Sequence, residues 1–263
     1  MSIDQQPTPD APLPVSVEAV PQPATPPQQN PIAPIWHTIL VVAVLVTFSF
    51  LGASPQKEAA SGPYARFIVY GGTFLFELII VLVIWFGIRS RGVSMRELIG
   101  GRWASVESFL LDIAIAVFFV FAANIILIPI RMALGMLDLH HANKQLEETK
   151  RMLGHLIPRS KIEAAFFVVL SAAAGLFEEI IFRGYLQRQF GALARSAYIG
   201  IIASGIVFGL SHAYQGIRMM VVIAVYGSLF GIMTHLRRSL RPGMIAHAGQ
   251  DALSGIALYL LSR

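Results

Sequence analysis

The sequence predicts an all-α membrane protein, a polytopic bundle of about seven transmembrane helices that follows a disordered, proline-rich N-terminal tail. Three observations support this fold class. Of the 263 residues, 55% are hydrophobic and only 13% are charged, whereas a soluble domain has about 25% charged residues. Charge-poor windows recur along the chain, and most are close to the ~20 residues that cross a bilayer as a helix. No series of short alternating strands is seen, so a transmembrane barrel is not supported.

The first 34 residues differ in composition from the rest. They hold ten of the fifteen prolines, three acidic residues and no lysine or arginine. Such a segment can bury little apolar surface and is predicted to be disordered. It lacks the basic start of a signal peptide. The chain therefore divides into the tail over 1–34, N-terminal transmembrane helices with a long linker over 35–158, and a C-terminal core over 159–263.

Seven windows are long and apolar enough to be spans: 35–56, 67–88, 108–130, 164–182, 196–217, 219–236 and 242–262. An eighth span requires part of 132–158 to enter the membrane. Arginines concentrate in the connections after the second, fourth and sixth spans, which favours the N-terminal tail in the cytoplasm. The long linker on the other side is also basic and works against this orientation. The short loops and alanine-rich spans favour a bacterial plasma (inner) membrane.

The net charge of +5 and the lack of cysteine limit the function classes. Lysine and arginine lie mostly between the spans, where they set topology, so no nucleic-acid partner is predicted. Disulfides and thiolate chemistry are excluded. The lipid bilayer is the expected surrounding, and the oligomeric state is left open.

Ionisable side chains inside the spans restrict the candidates for a site, since each costs roughly 2.5 to 3.5 kcal/mol at a helix centre. Glu77 and Asp112 stand alone in the second and third spans, and each is expected to be neutral, near an interface or paired with another helix. The fourth span contains LFEEIIFRGYL. Glu179 and Arg183 share one helix face and are predicted to pair, while Glu178 points about 100° away.

The fifth and seventh spans contain two further pairs at the same spacing. Phe208 and His212 lie one above the other in FGLSH, as do His247 and Asp251 in HAGQD. For any single pair, an interhelical polar contact is the simpler interpretation. Three pairs in the last third of the chain, beside glycines that let helices approach closely, favour one shared polar site.

The chemistry of this site suits the activation of water against a carbonyl group. Glu178 would accept a proton from the water, which His212 would hold in place. His247 would donate a hydrogen bond to the oxygen that becomes negative in the tetrahedral intermediate. The hypothesis is peptide hydrolysis inside the bilayer, with a membrane-associated peptide or protein as the substrate and no cofactor.

At these residues the sequence resembles the CPBP intramembrane protease family, also called the CAAX protease and bacteriocin-processing (ABI) family, which includes the type II CAAX prenyl endopeptidases. The family pattern is Glu-Glu-x-x-x-Arg, then Phe-x-x-x-His, then His-x-x-x-Asn or Asp. It occurs here in that order within about 159–262, as Glu178, Glu179 and Arg183; Phe208 and His212; His247 and Asp251. The resemblance implies an all-helical intramembrane endopeptidase of the CAAX-processing type.

The resemblance also implies roles for the individual positions. Glu178 would be the general base, assisted by His212, and His247 with Asp251 would form the oxyanion hole. One position departs from members that have asparagine there. Asp251 can donate a hydrogen bond only when it is protonated, and otherwise it would orient His247.

The remaining motif residues, Glu179, Arg183 and Phe208, are expected to support the site, the first two through the architecture or by contact with the substrate's C-terminus. Helix ends placed at the flanking charges put His212 roughly 10 Å from Glu178 along the membrane normal. We therefore expect the fourth helix to continue past Arg183.

Two alternatives stay open. Two histidines and a carboxylate are the ligands of many zinc hydrolases, although the sequence contains no His-Glu-x-x-His. The other alternative is a membrane scaffold, or a protein that gives immunity to a peptide toxin, in which the polar pocket serves recognition and not catalysis.

Overall fold

The computed structural model describes residues 30–52, 64–137, 147, 150 and 153–262. All regular structure within these ranges is helical, which confirms the all-α class. The tail predicted to be disordered lies almost wholly outside the described residues, and so does much of the segment considered for an eighth span.

The helices in chain order are α1 (Ile35–Gly52), α2 (Ala65–Arg89), α3 (Met95–Ile99), α4 (Val106–Ala133), α5 (Lys161–Glu178), a π-helical segment (Glu179–Leu186), α6 (Gln187–Ala194), α7 (Ala197–Leu210), α8 (Ile217–Arg237) and α9 (Arg241–Leu261). A short 3-10 turn, Ala213–Gln215, joins α7 to α8. Serine side chains define several helix starts because each accepts a hydrogen bond from a backbone N–H three residues later. These caps are Ser94, Ser105, Ser160 and Ser196.

Four helical rods in the described part of the chain are long and apolar enough to cross a membrane: 65–89, 106–133, 161–194 and 217–237. The helices α1 and α7 are apolar but shorter. The fifth predicted span, 196–217, is wrong at its C-terminal end, since α7 stops at Leu210 and the chain turns there. The multi-pass helical bundle is thus confirmed, while the number of seven spans stays a prediction.

The fourth predicted span continues past Arg183, as expected. Residues 161–194 form one rod in which the backbone has π-helical pitch between Glu179 and Leu186. Such segments have i→i+5 hydrogen bonds and occur frequently at functional sites. Every residue of the π-helical segment is buried, as expected for a helix that neighbours surround on all faces.

The bundle packs around this rod. Helix α5 contacts α2 and α9, α6 contacts α7, α7 packs along α8, and α4 lies against α9. At Gly175 on α5, a Cβ atom would lie only 2.7 Å from the backbone nitrogen of Ala248 on α9. The two backbones are therefore in direct contact, which only a very small residue permits.

Asp112 is paired with other elements, which is one of the outcomes expected for it. It is fully buried and accepts a hydrogen bond from the indole nitrogen of Trp103 at 2.8 Å. Its oxygens lie 2.8 Å from Arg237 Nε and 3.3 Å from Arg241 Nε. This cluster joins the first half of α4 to the end of α8 and the start of α9.

Polar contacts also anchor α1 to the central rod. Nε2 of His37 donates to the carbonyl oxygen of Val83 at 2.9 Å, and Nδ1 bonds to the Tyr185 hydroxyl at 2.7 Å. Gln189 accepts from the backbone N–H of Ala33 at 3.2 Å and donates to its carbonyl at 2.8 Å. The N-terminal helices are thereby fixed against the π-helical segment.

Candidate active site

A cavity of about 810 Å³ lies between the central rod and the helices around it. Its wall consists of side chains from several elements, including α1, α2, α4, α5, α8, α9 and the turn after α7. Four predicted site residues, Glu178, His212, His247 and Asp251, line it together, as does Phe208. The cavity thus brings together side chains that the sequence places on three separate segments.

Glu179 and Arg183 form a buried ion pair behind the cavity wall. Arg183 Nη1 donates to Glu179 Oε1 at 2.9 Å, and both side chains are at most 1% exposed. The second Arg183 nitrogen, Nη2, donates to the carbonyl of Gly227 on α8 at 3.1 Å. The predicted pairing is confirmed. Because neither residue lines the cavity, the arrangement favours the architectural role over contact with a substrate's C-terminus.

His247 lies among three carboxylates. Its Nδ1 is 3.1 Å from Glu179 Oε1, a hydrogen bond. On the other side of the ring, Nε2 lies 3.5 Å from Glu178 Oε2 and 3.7 Å from Asp251 Oδ2. The last distance exceeds that of a hydrogen bond. Glu179, and not Asp251, therefore orients the imidazole, and Nε2 is left directed toward Glu178 and the cavity.

Glu178 is the last residue of α5, at the point where the π-helical pitch begins. Its side chain is 16% exposed and reaches the cavity, whereas the side chain of Glu179 is fully buried. The prediction that these adjacent acids point in different directions is confirmed. The Oε2 atom of Glu178 is buried and makes no hydrogen bond within the described part of the protein.

His212 lies in the turn after α7 and not within a membrane helix, which corrects the predicted placement. The i, i+4 contact with Phe208 nevertheless holds, since the two rings meet edge to face at 4.7 Å between centroids. Nδ1 of His212 is 2.8 Å from the Phe208 carbonyl oxygen. A carbonyl only accepts, so Nδ1 bears the proton of this bond and Nε2 of the neutral ring is an acceptor.

Glu77 is the residue of the cavity that sequence reasoning missed. It lines the same cavity and neighbours Glu178 on another helix, and a pairing between helices is one of the outcomes expected for it. It is only 6% exposed. The sequence does contain a signal for it. An acid in the middle of a membrane span is costly to bury and needs a partner, and no basic residue stands near Glu77 in α2.

The described residues do not form a ready zinc site, and the zinc alternative stays a hypothesis. Across 30–52, 64–137 and 153–262, no three histidine, aspartate or glutamate side chains are grouped so that they could hold a metal ion. The Nδ1 atoms of His247 and His212 bond to Glu179 and to the Phe208 carbonyl, and their Nε2 atoms make no hydrogen bond within the described part of the protein. Such Nδ1 bonds are compatible with either a metal-free or a metal-bound imidazole.

Residues 160–253 match the family model described as type II CAAX prenyl endopeptidase Rce1-like. This segment is similar to the CAAX protease family. The Rce1-like segment begins at the N-cap of α5 and ends within α9, so it contains all seven motif residues. Helices α1 to α4 lie outside it. No curated protein and no solved structure matches the chain.

The Rce1-like assignment and the fold agree. The family is one of endopeptidases, and the long apolar helices are those of a multi-pass membrane protein. The described part of the chain thus has the helices of a multi-pass membrane protein, and residues 160–253 are similar to a family of proteases. The cavity just described is the candidate active site.

Proposed function

We propose that this protein is an intramembrane endopeptidase that hydrolyses a peptide bond of membrane-associated proteins or peptides, with water activated by Glu178. The observation that carries the proposal is the convergence of one unpartnered carboxylate and two imidazoles on a single cavity inside a helical bundle. The similarity of residues 160–253 to the CAAX protease family supports the same reaction class. We place the protein in a bacterial plasma membrane.

In this proposal Glu178 is the general base. A water held between its carboxylate and the acceptor Nε2 of His212 loses a proton to Glu178 as it attacks the substrate carbonyl. The carbonyl electron pair moves to the oxygen. When the carbon–nitrogen bond breaks, Glu178 returns the proton to the leaving amine, so that no proton is gained or lost over the cycle.

His247 and Asp251 stabilise the oxyanion. Glu179 accepts from Nδ1 of His247, so donation from Nε2 to the oxyanion uses the imidazolium form, and the surrounding carboxylates supply its counter-charge. Asp251 lines the cavity near that nitrogen. As the protonated acid it adds a second donor. The reaction in this form uses only side chains of the chain itself and needs no cofactor.

The cavity suggests the chemical class of the substrate. Most side chains of its wall are apolar, and three acids lie among them, namely Glu77, Glu178 and Asp251. Among the described residues that form the wall, Arg131 at the end of α4 is the only lysine or arginine. An apolar or lipid-modified peptide that ends in a free carboxylate suits these features, since Arg131 can pair with the carboxylate.

The proposal is tested in cells by comparing membrane proteomes that contain the wild-type protein or Glu178→Gln at equal levels. Glutamine keeps the size of the side chain but cannot accept a proton. We expect a precursor to accumulate, with extra residues that the wild-type protein removes. Identical proteomes, together with an unchanged cellular phenotype, would favour the scaffold and overturn the protease.

A further inference from the structure

Glu77 is a buried acid outside the family-matched segment that the mechanism above does not use. It lies on α2, is 6% exposed and lines the cavity. Its Oε2 atom has no hydrogen-bond partner within the described part of the protein. A buried carboxyl oxygen without a partner is costly, so either a ligand or a neighbouring group is expected to satisfy it.

The neighbours of Glu77 come from three other elements. Glu178 on α5 is adjacent, His247 and Asp251 lie on α9, and Tyr214 belongs to the turn between α7 and α8. The Oε2 atom of Glu178 is also buried and makes no hydrogen bond within the described part of the protein, although His247 Nε2 lies 3.5 Å away. One proton between these two carboxyls would provide the missing hydrogen bond to both. Such a bond would join α2 to α5 at the cavity that both acids line.

We propose that Glu77 is a positioning residue of the hydrolytic site, and that in its protonated form it donates a hydrogen bond to the carboxylate of Glu178. This inference rests on the proposed function. The bond stabilises the ionised form of the base and points its free oxygen toward the water. During the reaction the proton of Glu77 stays in place, while Glu178 takes its own proton from the water and returns it to the amine.

The test is the pH dependence of kcat/KM for the purified full chain, measured with a lipid-modified CAAX peptide. Glu77→Met keeps the length of the side chain but has no donor. Without the hydrogen bond the ionised form of Glu178 is less stable, so the acid limb of the profile moves to higher pH, by about one unit. Glu77→Gln retains a donor, and its acid limb is expected close to that of the wild type.

A purely structural role for Glu77 predicts a different pattern, namely a lower rate at every pH and an unmoved acid limb in both variants. That result would overturn the inference. Glu107→Gln removes an exposed acid from α4 and is the control, with wild-type kinetics expected. If Glu77→Met does not fold, Glu77→Leu provides the same donor-free comparison.

Failure of the inference and failure of the proposed function are distinguishable. A Glu178→Gln variant that cleaves the peptide at the wild-type rate removes the general base and with it the proposed function. If Glu178→Gln is inactive and the acid limb of the pH profile is unmoved in both Glu77 variants, the proposed function stands and only the role of Glu77 is rejected.

Discussion

Two adjacent glutamates have opposite surroundings in this protein. Glu179 is fully enclosed and holds both Arg183 and His247, at 2.9 and 3.1 Å from one of its oxygens. Glu178 has no such partner and reaches the cavity. The first is therefore suited to fix the geometry of its neighbours, and the second to exchange a proton.

Replacement of Asp251 tests its proposed role as a hydrogen-bond donor. We expect Asp251→Asn to keep substantial activity, because the amide can donate a hydrogen bond to the oxyanion without being protonated. Asp251→Leu, of similar size without a donor, is expected to lose about 10²-fold or more in kcat. Single-turnover rates of the purified variants provide the measurement. An inactive asparagine variant would contradict the donor role.

Loss of the buried carboxylate at position 179 is expected to destabilise the protein. Glu179→Gln leaves the guanidinium of Arg183 without a counter-charge while it is only 1% exposed. Breaking a buried ion pair in this way costs about 3 to 5 kcal/mol. Thermal unfolding in detergent, compared with the exposed-site control Glu107→Gln, measures the loss. Equal midpoints for the two variants would show that Arg183 has another partner.

Much of the candidate site can be predicted from the sequence, because spacing along a helix determines which side chains share a face. The pairing of Glu179 with Arg183 and the contact of Phe208 with His212 follow from that rule. The partner that orients His247 does not, since Glu179 comes from another helix. The place of Glu77 likewise depends on how α2 packs.

At the scale of the helices, the change of pitch after Glu178 has no counterpart in the sequence pattern. Apolar periodicity predicts a helix through this region, but it does not distinguish α-helical from π-helical hydrogen bonding. The end of α7 at Leu210 is similar, because the apolar residues continue beyond it. Charge and hydropathy therefore predict the existence of these helices better than their pitch or their limits.

The approach of α9 to α5 determines where His247 stands relative to Glu178. Gly175→Ala introduces a Cβ atom only 2.7 Å from the Ala248 backbone nitrogen, so the two helices must separate. We expect a loss of activity, since catalytic geometry is sensitive to displacements of about 1 Å. Activity per folded molecule provides the measurement.

The matched control for this change is Gly72→Ala on α2, where a Cβ atom would meet nothing within 4 Å. It has the same change in helix propensity, about 1 kcal/mol in favour of alanine, without the contact. Equal activities for the two alanine variants would show that the separation of α5 and α9 does not control the site.

At the scale of the whole molecule, two parts of the chain form the wall of the cavity. The family-matched segment supplies Glu178, His212, His247 and Asp251, while α1, α2 and α4 supply much of the remaining wall. The wall from α1, α2 and α4 includes Glu77 and Arg131. The substrate choice of this protein is therefore expected to depend also on helices outside the motifs.

The position of Arg131 leads to a prediction about substrate ends. A charge-assisted hydrogen bond contributes about 1.5 to 3 kcal/mol, so Arg131→Gln is expected to raise KM about tenfold or more for a peptide with a free C-terminal carboxylate. The amidated peptide should show little change. Arg218→Gln, at an exposed position at the start of α8, is the control. Equal effects on both peptides would contradict the carboxylate contact.

The most direct measurement of the central claim is cleavage of a lipid-modified CAAX peptide by the purified full chain, with and without Glu178→Gln, after exhaustive chelation of metals. We predict that the chelated wild-type protein cleaves the peptide and that the variant is slower by about 10²-fold or more. A variant as fast as the wild type, or a wild-type protein that chelation inactivates, would contradict hydrolysis by a glutamate-activated water.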